Sequence, residues 1–439
     1  MADPAMSVTP YWELTFDADG DVDGARRDRL LTGVKRSGVR DLIVFSHGWN
    51  SDRSGATRLY SRFFAPIPAL APAARIGYVG VVWPSMRFSD EPIPDFPHSV
   101  TAAETRRPAL DGDTRHALLE TFPGRATVVD RIARLLEQRP PEEAELEEFG
   151  RLVRLLVDVV PPGPQALFGA DTLAEGVPQD EPEMFACPTA VACERFARAL
   201  SGPDGPPGAG EFALPGPWDG AHELLRQATY YAMKRRAGTV GERGLGPFVG
   251  RLAAVAPAVR VHLVGHSFGG RLVSFALRGL PDGVRTVKSV TLLQGAFSHY
   301  AFAPRGVLQG QQNRIDGPLV CCYSRFDRAL STMYPLASRM AGDARGLVGE
   351  ALGAEWGALG HDGVQAVPGT HACALADALS GPLPRSGCVN VDAAAVVRRG
   401  GAPAGAHSDI VHPELARLVL AAGRIRWNRP AAAGTSGAR

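Results

Sequence analysis

The chain has 439 residues, enough for about three domains or for one elaborated α/β domain. Hydrophobic residues make up 45% and charged residues 21%, which excludes wholesale disorder. The 47 basic and 46 acidic residues leave a net charge of +1, so charge gives no reason to expect nucleic acid or an anionic membrane as partner.

Tyr11–Phe16 (YWELTF) opens the chain as a strand, and an amphipathic segment near Ala25–Arg36 follows an acidic run. Val39–Ser46 (VRDLIVFS) is rich in β-branched and aromatic residues and reads as a strong strand. Ala56–Phe64 reads as helix and Gly77–Trp83 (GYVGVVW) as another buried strand. Further strands are expected at Val259–Gly265, Val287–Gln294, Pro318–Tyr323 and Cys388–Val391. Their apolar residues run continuously rather than alternating, as in strands covered on both faces by helices. Strand and helix in repeated succession predict an α/β fold with a mostly parallel, doubly wound sheet.

Residues 86–217 interrupt this rhythm. Ala126–Val160 is strongly periodic with a break at Pro140–Pro141, and Pro161–Pro217 is rich in Pro and Gly. So long a structureless loop is improbable, which predicts a helical, Pro/Gly-rich cap insertion whose Pro161–Pro217 stretch is expected to be mobile. The core is thus expected in two parts, residues 1–85 and 218–429, the second opening on a helix over Trp218–Arg236. Residues 430–439 are expected to be a disordered tail.

None of the six cysteines sits in a CxxC pair, so they are expected to be reduced and buried rather than zinc-binding. Cys321 and Cys322 should face opposite sides of one strand. Met1–Gly20 lacks the basic start and apolar stretch of a secretory signal, and no apolar run approaches a membrane span. A soluble, cytoplasmic protein is the expectation; the oligomeric state is not legible.

Val261–Gly270 (VHLVGHSFGG) carries the sharpest chemical signal. A buried strand runs into Gly265-His266-Ser267-Phe268-Gly269, and a helical segment follows, which is the context a G-x-S-x-G turn needs. The tight turn requires Gly265 and Gly269 for space and presents the Ser267 hydroxyl at a helix N-terminus, where negative charge is favoured. Gly270 is expected to let helix and strand approach. A nucleophilic serine needs donors for the developing oxyanion. Ser46-His47-Gly48-Trp49-Asn50 ends the strand of Val39–Phe45, so the expected donors are the backbone N–H groups of Trp49 and Phe268. His47 and Gly48 would then shape the loop rather than act as base.

FSHGWN followed by LVGHSFGGRL resembles the α/β-hydrolase superfamily, in its lipase- and esterase-like branch. The resemblance covers residues 39–83 and 218–423 and leaves out the insertion. It implies an acid after a later strand and a histidine after the last one. Asp327, in the SRFD that closes Pro318–Tyr323, fits the acid, and can also cap the helix near Ala329; Asp316 and Asp362 are runners-up. His407, in GAHSD after Cys388–Val391, fits the base; His412 competes but reads as a helix-start residue, and His361 and His371 precede the strand.

The reading is a serine hydrolase that cleaves a small-molecule or lipid ester through an acyl-enzyme, with no cofactor or metal. Residues 86–217 and the shorter Ser298–Asp316 stretch would form a lid that sets specificity. A non-catalytic scaffold of this fold and an acyltransferase using the same three side chains are the alternatives. The D-x-D-x-D-G run at Asp19, Asp21, Asp23 and Gly24 begins like a calcium loop, but position 12 is Leu30, so a helix cap at Asp21 or Asp23 is preferred. Tyr230-Tyr231 beside Lys234-Arg235-Arg236 reads as an amphipathic helix with a solvated basic end.

Overall fold

Among the described residues eight strands form one sheet in which every neighbouring pair is parallel, in the order β1-β3-β2-β4-β5-β6-β8-β7. They are β1 (Tyr11–Thr15), β2 (Asp41–Ser46), β3 (Ile76–Val82), β4 (Arg260–His266), β5 (Val287–Leu293), β6 (Pro318–Tyr323), β7 (His371–Ala374) and β8 (Gly387–Asp392). The computed structural model describes residues 6–49, 51–86, 88, 109–158, 168–169, 171, 183–200, 216–330, 357–401 and 405–428. The expected disordered tail lies outside these residues, as does much of the Pro/Gly-rich stretch.

The helices in chain order are α1 (Gly24–Ser37), α2 (Arg53–Phe64), α3 (Ile67–Leu70), α4 (Gly112–Thr121), α5 (Ala126–Gln138), α6 (Glu143–Val157), α7 (Glu183–Ala186) and α8 (Thr189–Leu200). Then come α9 (Pro217–Thr239), α10 (Gly246–Val255), α11 (Phe268–Arg278), α12 (Leu359–Asp362), α13 (Leu375–Ser380) and α14 (Pro413–Ala422). A π-helical segment, Val240–Leu245, joins α9 to α10 without a break. The helices bury both faces of the sheet, because its strands are apolar on both faces. Leu42 and Val44 of β2 belong to one core with α1, α9, α10 and α11, whereas Ile43 and Phe45 belong to another with α2 and α14. Cys321 and Cys322 divide between the same two cores. None of the six cysteines forms a disulfide, but Cys187 and Cys373 are only partly buried, contrary to the expectation for all six.

The insertion contributes only helices among its described residues. Its amphipathic α5 and α6 pack their apolar faces (Val129, Ile132 and Leu135; Phe149, Val153 and Leu156) into the core of α9 and α11. α5 ends at Gln138 and α6 begins at Glu143, on either side of the two prolines. Ser298–Asp316 is an ordered loop whose Ala301, Phe302, Val307 and Leu308 enter the same core. Among the described residues no helix is long and apolar enough to cross a membrane.

Two polar residues expected at helix ends differ in outcome. Asp23 accepts from the Arg26 backbone N–H at 2.9 Å and so caps α1, which accounts for the calcium-like run. Lys234 is not at a solvated helix end: it is 1% exposed and sits 2.8 Å from the wholly buried Asp171. Arg271 of α11, also wholly buried, pairs with the same carboxylate. A charge leaves water only when paired, and the partner here comes from the insertion.

Candidate active site

Strands added on one side of β2 run back to β1, and those beyond β4 run on to β7. The order of strands therefore reverses between β2 and β4, the kind of point at whose carboxyl ends parallel α/β sheets commonly bind ligands. Ser46 pairs with Gly265, so the loop after β2 and the turn after β4 leave the sheet side by side.

Ser267 has φ 55° and ψ −123°, a strained conformation for a residue with a side chain. The strain follows from the tightness of the turn. A Cβ on Gly265 would lie 2.3 Å from the Gly269 carbonyl oxygen, and one on Gly269 would lie 2.0 Å from that of Ser46. Only glycine fits at either position. Gly270 is different: a Cβ there meets nothing closer than 3.5 Å, so the close approach expected of it is made at Gly269 instead.

Three side chains distant in sequence meet at this turn. Ser267 Oγ lies 2.9 Å from His407 Nε2, and His407 Nδ1 lies 2.8 Å from Asp327 Oδ2. A carboxylate only accepts, so Nδ1 carries the proton and donates to Asp327, leaving Nε2 to accept from the serine hydroxyl. Asp327 is wholly buried, and its other oxygen accepts from the Leu330 N–H at 3.1 Å, so it is at once the histidine's partner and a cap. A bridge between Asp327 and Gly405, with the Ala406 N–H donating to Phe326 at 2.9 Å, clamps the histidine loop to the acid loop.

The alternatives are engaged elsewhere. His412 caps α14 and lies 2.9 Å from Asp409. Asp316 pairs with Lys288, and Asp362 lies 2.7 Å from His299. His361 falls in α12 and His371 in β7.

The neighbouring histidines hold loops in place. His266 Nε2 donates to the His407 carbonyl at 2.9 Å, fixing the backbone of the histidine loop. Burial, with the adjacent His407 adding to it, pushes the His266 imidazole down to about 3, so it is neutral near neutrality. His47 is held down to about 4 by burial; its Nδ1 donates to the Gly48 carbonyl at 2.9 Å. Its ring stacks on Trp83 at 5.5 Å, and its backbone N–H donates to the Tyr60 hydroxyl at 2.9 Å. These contacts press Gly48 against the serine, where an added Cβ would lie 2.6 Å from Ser267 Cβ and 3.2 Å from Oγ.

Phe268 is the first residue of α11, whose leading N–H groups have no intrahelical acceptor. Among the described residues, neither its backbone N–H nor that of Trp49 donates to a protein acceptor. Beside them stands an aromatic wall: the Tyr230 ring is 4.7 Å from that of Phe268 and 5.3 Å from that of Trp49. Tyr230 was not singled out for this place by the sequence. Its only signal is its position on the helix that returns the chain from the insertion to the sheet.

The chain matches no family model, and comparisons with curated proteins and with solved structures find no match. The geometry of the site therefore carries the functional argument alone.

Proposed function

We propose that this protein is a serine hydrolase of the α/β-hydrolase type that cleaves a carboxylic ester. The observation that carries the reading is the hydrogen-bonded chain from Ser267 through His407 to Asp327, beginning on a strained residue at a helix N-terminus. In this mechanism Ser267 Oγ attacks the ester carbonyl carbon while His407 Nε2 takes its proton. Asp327 stays ionised and holds the imidazole in the tautomer that accepts at Nε2. The carbonyl oxygen becomes an oxyanion, to which the N–H groups of Phe268 and Trp49 donate in this reading as α11 contributes its dipole. The tetrahedral species collapses, His407 protonates the departing alkoxide, and an acyl-serine remains. Water then gives a proton to His407 and attacks the acyl carbon, and the proton returns to Ser267 as the carboxylic acid leaves.

The wall of Trp49, Tyr230 and Phe268 suits an apolar group of the ester, because aromatic faces contribute large contact area. A fluorophosphonate probe tests the assignment: it should label the wild-type protein at one site and fail to label Ser267→Ala. Absence of labelling in the wild type, or labelling that persists in the variant, rejects it.

A further inference from the structure

A second concavity lies at the β1 edge of the sheet, three strands from Ser267. The loop after β1, the α4–α5 connection, the end of α6 and the face of α9 enclose about 380 Å³, a volume typical of small-ligand sites. Four arginines line it, Arg125, Arg235, Arg236 and Arg243, against two aspartates, Asp19 and Asp158. The cavity therefore holds two positive charges in excess.

The existing contacts position these arginines without neutralising them. Arg236 donates to the carbonyls of Pro84 and Thr121, at 2.8 and 3.2 Å. Arg235 donates to the Asp158 carbonyl at 2.9 Å, and Arg243 lies over the Phe168 ring at 5.1 Å. Among the described residues only Arg125 pairs with a carboxylate, that of Asp158 at 3.3 Å, and Asp158 is 77% exposed. Such a surface pair contributes little. Burial, with the adjacent Arg235 adding to it, lowers Arg236 to about 10, a cost that an anion in the cavity would relieve.

The remaining lining includes Phe122, Leu156 and Phe168, so an apolar surface adjoins the guanidinium forks. We propose that this cavity binds a small organic phosphate monoester, its dianion among Arg235, Arg236 and Arg243 and its apolar body against Phe122 and Leu156. The excess of two charges matches a phosphate monoester better than a carboxylate, and planar guanidinium groups fit phosphate oxygens in pairs. Inorganic phosphate alone would leave the apolar surface unused. This inference is independent of the chemistry assigned to Ser267.

Calorimetric titration with phenyl phosphate, inorganic phosphate and benzoate, at constant ionic strength in chloride, tests it on the full chain. Phenyl phosphate should bind at one site, at least about tenfold more tightly than either other probe. Arg235→Ala with Arg243→Ala should weaken that binding at least about tenfold. Arg62→Ala with Arg75→Ala, neither of which lines the cavity, should leave it unchanged. Arg243→Ala alone, at an exposed position, guards against misfolding of the double variant and should weaken binding at least about threefold. No heat from phenyl phosphate at millimolar concentration overturns the proposal, as does equal weakening in the Arg62/Arg75 control. Equal affinity for inorganic phosphate overturns the organic ligand, and equal affinity for benzoate overturns the preference for a dianion.

Discussion

Asp327 and His407 are 80 residues apart, yet each has its backbone fastened before its side chain is used. Asp327 is pinned by the bridge to Gly405, and His407 by the donation from His266 to its carbonyl. The imidazole thus reaches Ser267 already oriented, and the tautomer rests on one carboxylate oxygen. Asp327→Asn keeps the shape of that side chain but can offer an N–H to Nδ1, which favours the tautomer with the proton on Nε2. In the proposed mechanism that tautomer cannot take the serine proton, and turnover of p-nitrophenyl acetate should fall by a factor on the order of 10⁴. Circular dichroism should remain that of the wild type. A loss of less than about tenfold would mean that Asp327 does not set the tautomer, and would shift the acid's role to another group.

At the scale of elements, a buried carboxylate of the insertion helps to fasten it to the turn-bearing helix. Asp171 takes both Lys234 of α9 and Arg271 of α11, and its Oδ2 also accepts from the Ser298 N–H at 3.0 Å. Removing its charge takes away a buried carboxylate that two buried cations both contact. Asp171→Asn should therefore lower stability by about 3–5 kcal/mol, read as a lower midpoint in urea at unchanged slope. An unchanged midpoint would show that the cations do not depend on this carboxylate. The elements differ in how much of this could be read ahead. β2, β3, β4, β5, β6 and β8 lie within continuous apolar runs, which is why they were legible along with α2, α9 and α11. The Ser267 turn was legible because its glycines are dictated by local sterics. β7 was missed: His371–Ala374 is a short, largely exposed edge strand with neither an apolar run nor alternation. The burial of Lys234 was also illegible, because its partner lies 63 residues upstream in the insertion and no local pattern encodes that pairing. The cavity arginines share that origin, since they gather from the α4–α5 connection, α9 and the π segment.

Across the whole molecule, the two flanks of the candidate site each rest on a buried neutral imidazole. His47 holds the loop after β2 and His266 ties the turn after β4 to the histidine loop. Unfolding returns both to a value near 6.5, whereas in the folded chain they stand at about 4 and about 3. Between those values the unfolded chain binds more protons, so stability rises with pH. The contribution is fully present above about pH 6.5 and is lost as pH falls toward the folded values, by up to about 3 kcal/mol for each imidazole at pH 4. Set against a typical stability of about 5–15 kcal/mol, that loss is large. Most of the window lies above the range in which ordinary carboxylates take up protons, so the imidazoles can be read separately from general acid denaturation. Urea midpoints measured from pH 7 to 4.5 should fall steadily with acidification, and the ring resonances of His47 and His266 should not titrate between pH 8 and 5. A flat urea profile, or a resonance of either ring that moves with a midpoint near 6.5, would place that imidazole in contact with water. The loop carrying Gly48 or the one carrying His407 would then lack the anchor that sets its distance from Ser267.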